Sequence, residues 1–355
     1  MDIFLTFLLN NFKFINKTIG HFLFVIVLIF FSTLNAKNID KFFKSEFISD
    51  YFSGILLLNQ ENYEDSYKYL KKLDGLEENH KSFATKYLYT LVNSGNFNQA
   101  VNFAKKLEKE QKDSFESDLV IGVFNLKNSK FKTSNKYFLK AKQRYSRTVL
   151  DNYVAHSLYN WSNLETEEFE KALNNLNKID NRFENLKNIQ NVFLHCYFNS
   201  DKTKLFYEKL LSNQEIDFSR YNYFYAKYLY NIGEKDQAKT ITEVSLKKYP
   251  RNLLLNQFKI DLANKSNKFD FDCRKKNHVV AEILYVTANA LSSQSAYSLS
   301  NFYLNLSKHL NRDFHAFDTL LAENFYKIED FLSAKKIYQK LKNHGNAFKW
   351  YSNKQ

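Results

Sequence analysis

Aromatic residues recur at one fixed spacing in this chain, and that spacing constrains the fold more than any other feature. Tyr63, Phe97 and Phe131 lie 34 residues apart, and Tyr297 and Phe331 are separated by the same interval. A small side chain follows each ring by three positions, namely Ser66, Ala100, Ser134, Ser300 and Ala334. A period of this length is typical of an array of helical pairs, in which each pair buries its apolar face against the next.

The composition agrees with a helical array. The 355 residues include one Pro and seven Gly, which are too few turn-forming residues for an all-β or α/β chain of this size. Two helices that cross closely need a small residue at the crossing point. Nine residues before the turn aromatic, that position holds Gly54, Gly122, Ala288 and Ala322 in four units, and Leu88 in the second unit.

The 34-residue spacing, together with the small residue after each ring, resembles the tetratricopeptide repeat family. The resemblance implies an all-α fold, a right-handed α-solenoid of stacked helix–turn–helix repeats. It also implies protein binding on the concave face, which the first helix of each repeat lines. The tryptophan of the family pattern is absent from these units, and Pro250 is the only proline at a position where the family often closes a repeat.

The register of the repeats predicts which side chains line the concave face. Tyrosine is frequent there, and its large apolar ring with a polar tip suits recognition of a protein or a peptide. Packing against the next helix is the competing interpretation for these rings. The predicted partner-binding residues are Tyr51, Ile55, Tyr89, Leu119, Val123, Tyr223, Lys227, Tyr230, Tyr285 and Tyr326.

The pattern divides the chain after its signal region into two arrays. Residues 37–263 form the N-terminal array, with weaker units in the middle and a helix predicted from Leu253 to Ala263. Residues 264–277 are rich in Lys, Asn and Asp and are predicted to be an exposed linker. Residues 278–355 form a C-terminal array that is incomplete, since its next turn would lie past Gln355. A longer protein, or closure by a partner, would complete it.

The N-terminus has the layout of a secretory signal peptide. An apolar run from Phe22 to Phe31 follows Lys13 and Lys17, and Ala36 stands at a suitable cleavage position. The run is shorter than the roughly 18 to 20 residues of a membrane-spanning helix. We therefore expect residues 1–36 to be removed, in a periplasmic or secreted protein of a Gram-negative bacterium. An uncleaved inner-membrane anchor is the alternative.

The distribution of charge indicates which classes of partner the chain can bind. The formal net charge is +13, but the lysines are spread along the chain and no dense basic block of the kind expected for nucleic acid occurs. We expect no nucleic-acid partner, and a membrane partner only if the N-terminal segment is uncleaved.

Cys196 and Cys273 are expected to be buried small apolar side chains, although an oxidising periplasm would permit a disulfide.

The sequence contains no motif for catalysis. No histidine or cysteine pair has metal-binding spacing, and the glycines never cluster into a phosphate-binding loop. We therefore expect no catalytic residue, no metal and no cofactor, in a non-enzymatic envelope scaffold that binds a protein partner. The alternatives are a membrane-anchored assembly factor and the non-catalytic N-terminal part of a larger envelope enzyme.

Overall fold

The fold is all-α, as predicted. The computed structural model describes residues 44–144, 148–164, 168–213, 216–266 and 270–355, and within these ranges it contains α-helices and short 3₁₀ helices but no strand. The helices are α1 Ser45–Asn59, α2 Tyr63–Leu70, α3 Lys81–Asn93, α4 Phe97–Lys109, α5 Phe115–Lys127, α6 Phe131–Gln143, α7 Val149–Ser162, α8 Phe169–Asn177, α9 Glu184–Tyr197, α10 Thr203–Leu211, α11 Ser219–Asn231, α12 Lys235–Lys248, α13 Leu253–Ala263, α14 Lys276–Ser293, α15 Tyr297–Leu310, α16 Ala316–Lys327, α17 Phe331–Leu341 and α18 Asn346–Lys354.

The chain divides into two compact units, Met1–His80 and Lys81–Gln355. In the described part of the first unit, α1 and α2 pack as a pair. In the second, sequential pairs such as α5 with α6, α11 with α12 and α14 with α15 pack in the same way. The boundary predicted at residues 264–277 therefore falls inside the second unit, because helices from both sides of it pack together there.

The small residue after each turn aromatic allows close contact between the two helices of a repeat, as predicted. Where it is serine, its hydroxyl also donates a hydrogen bond to the backbone carbonyl twelve residues earlier. The pairs are Ser66 with Gly54 (2.8 Å), Ser134 with Gly122 (2.9 Å) and Ser300 with Ala288 (2.8 Å). A Cβ atom added at Gly122 would lie 2.4 Å from the Phe138 ring, so this crossing point has no room for a larger residue.

The turn between the two helices of a repeat has one conformation in the five repeats that carry a turn aromatic at the 34-residue spacing. Two residues before each turn aromatic, the backbone is left-handed, at Glu61, Gly95, Ser129, Ser295 and Glu329. The following amide then donates to the carbonyl five residues back, as Lys130 does to Asn125 at 2.9 Å. This hydrogen bond closes the first helix as a Schellman motif, and the same closure in each repeat accounts for the constant spacing.

The turn aromatics differ in burial. Tyr63 is 4% exposed, but Phe331 is 54% exposed. Each ring lies at the edge of its helix pair, so its burial depends on what packs next to it. Phe97 is covered by the His309 ring, with centroids 3.7 Å apart, and Phe131 by the Lys276 ammonium at 3.6 Å.

The predicted signal peptide, residues 1–36, lies outside the described residues. Within the part of the chain that the structure describes, no helix combines the length and the hydropathy needed to cross a bilayer. The choice between a cleaved signal and an uncleaved anchor therefore stays a prediction.

Candidate functional site

The inner face of the second unit is filled by a segment of the same chain. Helices α14 and α15, here called the inner hairpin (residues 276–310), pack against first helices of the earlier repeats: α14 against α7, and α15 against α3 and α5. The Phe302 ring meets the Tyr89 ring edge-on at 4.7 Å. The face that was predicted to receive a partner thus receives two helices of its own chain.

This packing changes the role of several predicted partner-binding residues. Leu119 and Val123 are fully buried, and Tyr89 is half-buried beneath Phe302. Burial, followed by the nearby carboxylates of Glu116 and Asp151, raises the pKa of the Tyr89 hydroxyl far above its usual value. Leu119 and Val123 are therefore not accessible to a separate partner, and Tyr89 is accessible only in part.

A buried ion pair joins the inner hairpin to α11. Arg220 donates two hydrogen bonds to Glu282, from Nε at 2.7 Å and from Nη2 at 2.8 Å, and the Glu282 side chain is fully buried. The guanidinium also lies 3.9 Å from the centre of the Tyr285 ring. Tyr285, predicted to face a partner, therefore packs on this internal pair. The planar, two-point contact fixes the orientation of α14 relative to α11.

Tyr223 and Lys227 likewise have an internal partner. Asp270 accepts a hydrogen bond from the Tyr223 hydroxyl at 2.7 Å and pairs with the Lys227 ammonium at 3.1 Å. Both α11 side chains are buried. The prediction that they face a separate protein is not supported by this placement, because their polar atoms already hold the segment that leads into α14.

Only part of the predicted linker before the inner hairpin is exposed. Leu253–Ala263 forms the predicted helix and residues 264–266 are exposed, but Phe271 and Cys273 are buried. Phe271 packs against the rings of Phe193 and Phe224, with centroids 5.5 Å and 4.4 Å away. An apolar side chain within a polar stretch is enough to draw the backbone inward.

The two cysteines form a disulfide, which corrects the expectation of two buried thiols. Cys196 on α9 is bonded to Cys273, with Cα atoms 6.0 Å apart. The bond ties α9 to the segment between α13 and α14. Together with Asp270 and Glu282, it holds the inner hairpin in place at three points.

The remaining predicted residues are more exposed. In the first unit, Tyr51 and Ile55 on α1 are half-buried, and the Tyr51 hydroxyl lies 3.4 Å from His80 Nε2. In the second unit, Tyr230 is half-buried against Phe258. Tyr326 on α16 is 51% exposed, and it alone of the ten is an exposed aromatic ring.

Comparison with known proteins gives distant structural similarity only. No protein-family model matches the chain, and no curated protein matches it. The chain is similar to a chain of the Naa15/Naa10 structure bound to HypK-THB, with a TM-score of 0.35 and 12% identity over 87% of this chain and 56% of that one. It is also similar to a monomeric IFIT1 mutant with Gppp-AAAA, with a TM-score of 0.29 and 15% identity over 83% and 68% of the two chains. The chain thus spans about half the length of the first of these structures.

Tyr326 belongs to an exposed apolar cluster at the turn between α16 and α17, here called the C-terminal patch (Tyr326, Phe331 and Leu332). The Tyr326 and Phe331 rings meet edge-on at 5.4 Å, and Leu332 is 77% exposed. Helix α17 contains no acidic residue, and its lysines Lys335, Lys336 and Lys340 are exposed. The patch therefore combines apolar area with a positively charged helix.

Sequence reasoning missed the inner hairpin, although a signal for it was present. Glu282 is the only charged residue between Val279 and Ser307, in a chain that is 25% charged. A helix without a polar face is typical of a buried helix, whereas a solenoid repeat exposes one side. The single charge in this stretch is the one that pairs with Arg220.

Proposed function

We propose that this chain is a non-enzymatic helical-repeat protein that binds an acidic protein partner through the C-terminal patch. The observation that carries the proposal is the exposure of Tyr326, Phe331 and Leu332 beside a helix whose only charges are lysines. Large exposed apolar side chains in a cluster mark interaction surfaces more often than isolated ones do. Aromatic anchors with a charged rim are typical of protein interfaces.

The charge of α17 favours one kind of occupant. An apolar helix flanked by Glu or Asp would place its apolar side chains on the patch and its carboxylates near Lys335 and Lys336. Such complementarity accelerates association and selects the partner, and salt weakens it. The inner face is less suitable as a partner surface, because Leu119 and Val123 are fully buried and their helix, α5, already packs against α15.

A photo-crosslinking experiment tests the C-terminal patch. A photoreactive amino acid at Leu332 is expected to capture one acidic protein from the envelope fraction. The same group at Val244, an exposed apolar residue on α12, is expected not to capture that protein. Leu332→Glu should reduce recovery of the captured protein at least about tenfold while leaving the fold intact, since surface substitutions cost little stability.

Three outcomes of this experiment contradict the proposal. One is capture of the same proteins at Leu332 and Val244, because that would show non-specific contact. Another is capture of a second copy of this chain alone. The third is equal recovery by Leu332→Glu and the unsubstituted protein, because the patch would then contribute nothing to binding.

We also propose that the protein is located in the cell envelope, as a periplasmic or secreted protein. The apolar run from Phe22 to Phe31 with its basic flank supports this location, and the Cys196–Cys273 disulfide supports an oxidising compartment. N-terminal sequencing of the protein purified from cells should find Lys37 as the first residue. Met1 as the first residue would instead favour the membrane-anchored alternative.

A further inference from the structure

A second feature of the described residues is a cavity whose lining includes six basic or histidine side chains and one carboxylate. It lies between α15, α17 and the turn that joins α3 to α4, and its volume is about 410 Å³. Six side chains that line it are Lys308, His309, Arg312, His315, Lys340 and His344. We call it the basic cavity. Its volume is within the range of sites for small molecules.

The basic cavity contains more positive charge than its own carboxylate balances. Asp318, the one acidic residue that lines it, pairs with Lys308 at 2.5 Å. In the described part of the chain, no carboxylate lies within ion-pair distance of Arg312 or Lys340. Two cationic side chains therefore remain at the cavity without a protein anion, an arrangement that an anionic ligand would stabilise.

Lys127 on α5 adds to this crowding of positive charge. Its ammonium donates to the carbonyl of Leu310 at 3.1 Å, at the last residue of α15 and two residues before Arg312. Burial lowers the pKa of Lys127, and the charge of Arg312 lowers it further. The two like charges repel one another, and the nearby carboxylate of Asp313 offsets this repulsion only in part.

His309 provides an unused hydrogen-bonding atom at the same cavity. Its ring stacks on Phe97, with centroids 3.7 Å apart, and its Nε2 is buried without a hydrogen-bond partner among the described residues. Burial, followed by the charges of Arg312 and Lys127, lowers the pKa of His309 to about 4. The ring is thus neutral at pH 7. A buried polar atom without a partner costs about 1 to 3 kcal/mol, so it marks a site where a ligand group would be stabilising.

We propose that the basic cavity binds a small phosphate compound, whose phosphate or diphosphate group is held by Arg312 and Lys340 beside His309. A guanidinium donates two parallel hydrogen bonds to phosphate oxygens, and an ammonium supplies a compact positive charge. The modest volume of the cavity favours a free small molecule over a polymer. This site is separate from the C-terminal patch, so the two proposals can fail independently.

Calorimetric titration of the full chain with inorganic pyrophosphate at pH 7 tests the basic cavity. We expect saturable binding at one site. Arg312→Gln and Lys340→Gln should each weaken it about tenfold or more, because each removes a charged hydrogen-bonding partner. Lys335→Gln is the matched control. It removes the same charge from α17 at an exposed position that does not line the cavity, and it should leave the affinity unchanged.

Equal weakening by Lys335→Gln and Lys340→Gln would overturn the proposal, because binding would then follow net charge alone. The absence of saturable binding at millimolar pyrophosphate would also overturn it. A parallel sedimentation assay uses phosphatidylcholine vesicles that contain phosphatidylglycerol. If the vesicles bind in an Arg312-dependent manner and pyrophosphate does not, the phosphate belongs to a lipid head group and the proposed free ligand is wrong.

Discussion

Replacement of Glu282 by alanine is expected to lower the free energy of unfolding of the second unit by about 3 to 5 kcal/mol. The substitution leaves the Arg220 guanidinium, which has two hydrogen bonds to this carboxylate, without its anion in a largely apolar setting. The loss of stability should appear as a lower urea concentration at the unfolding midpoint, with unfolding monitored by circular dichroism. Amide hydrogen exchange in residues 276–310 should also accelerate, because the pair anchors the inner hairpin.

Two control variants separate loss of this pair from a general effect of removing a charge. Glu234→Gln breaks a partly exposed pair with Lys204 and should cost less than about 1 kcal/mol. The double variant Arg220→Met/Glu282→Leu should recover most of the stability, since it removes both buried charges together. If Glu282→Ala costs no more than Glu234→Gln, the pair does not anchor the hairpin.

Removal of the disulfide is expected to have an effect of similar size. The variant Cys196→Ala/Cys273→Ala should lose about 4 kcal/mol, because the bond closes a long loop and limits the unfolded ensemble. The two cysteines are 77 residues apart in sequence and both are buried. The measurement is the urea midpoint of the oxidised protein and of the double variant.

Chemical reduction of the disulfide provides the control for this variant. Dithiothreitol should lower the midpoint of the unsubstituted protein toward that of the double variant, and it should leave the double variant unchanged. Alkylation followed by mass spectrometry gives an independent check. If both thiols of the protein isolated from cells react with the alkylating agent without prior reduction, the disulfide does not form there.

Both predictions concern the same structural feature, the occupation of the inner face by α14 and α15. A helical-repeat protein with an open inner face offers that face to a partner. Here Asp270, Cys273 and Glu282 each connect the region of the inner hairpin to α9 or α11. A partner that bound the face of α5 that packs against α15 would first have to displace the hairpin. This is the physical reason for placing the proposed interface on the C-terminal patch.

The repeat register was readable from the sequence because its causes are local. The left-handed turn residue, the small side chain three residues after the ring and the small residue at the helix crossing all act within one helix pair. The hydrogen bond from Ser134 to Gly122 spans only twelve residues. The all-α fold, the helix Leu253–Ala263 and the crossing at Gly54 and Gly122 followed from such short-range patterns.

The functional surface was less readable, because burial depends on contacts between distant segments. Tyr63 and Phe331 occupy equivalent positions in the repeat, yet one ring is buried and the other is exposed. Tyr223 and Tyr326 were both predicted to face a partner, and the first instead bonds to Asp270, 47 residues along the chain. No local pattern distinguishes the members of either pair.

The sequence by itself determined the helices, their pairing and the 34-residue period, since propensity, turn conformation and close helix crossing act within each repeat. Only the tertiary structure decided what covers the inner face. A long stretch whose single charge is Glu282 packs most of its apolar side chains against earlier repeats. That packing joined Cys196 to Cys273 and Arg220 to Glu282, and it left the C-terminal patch exposed.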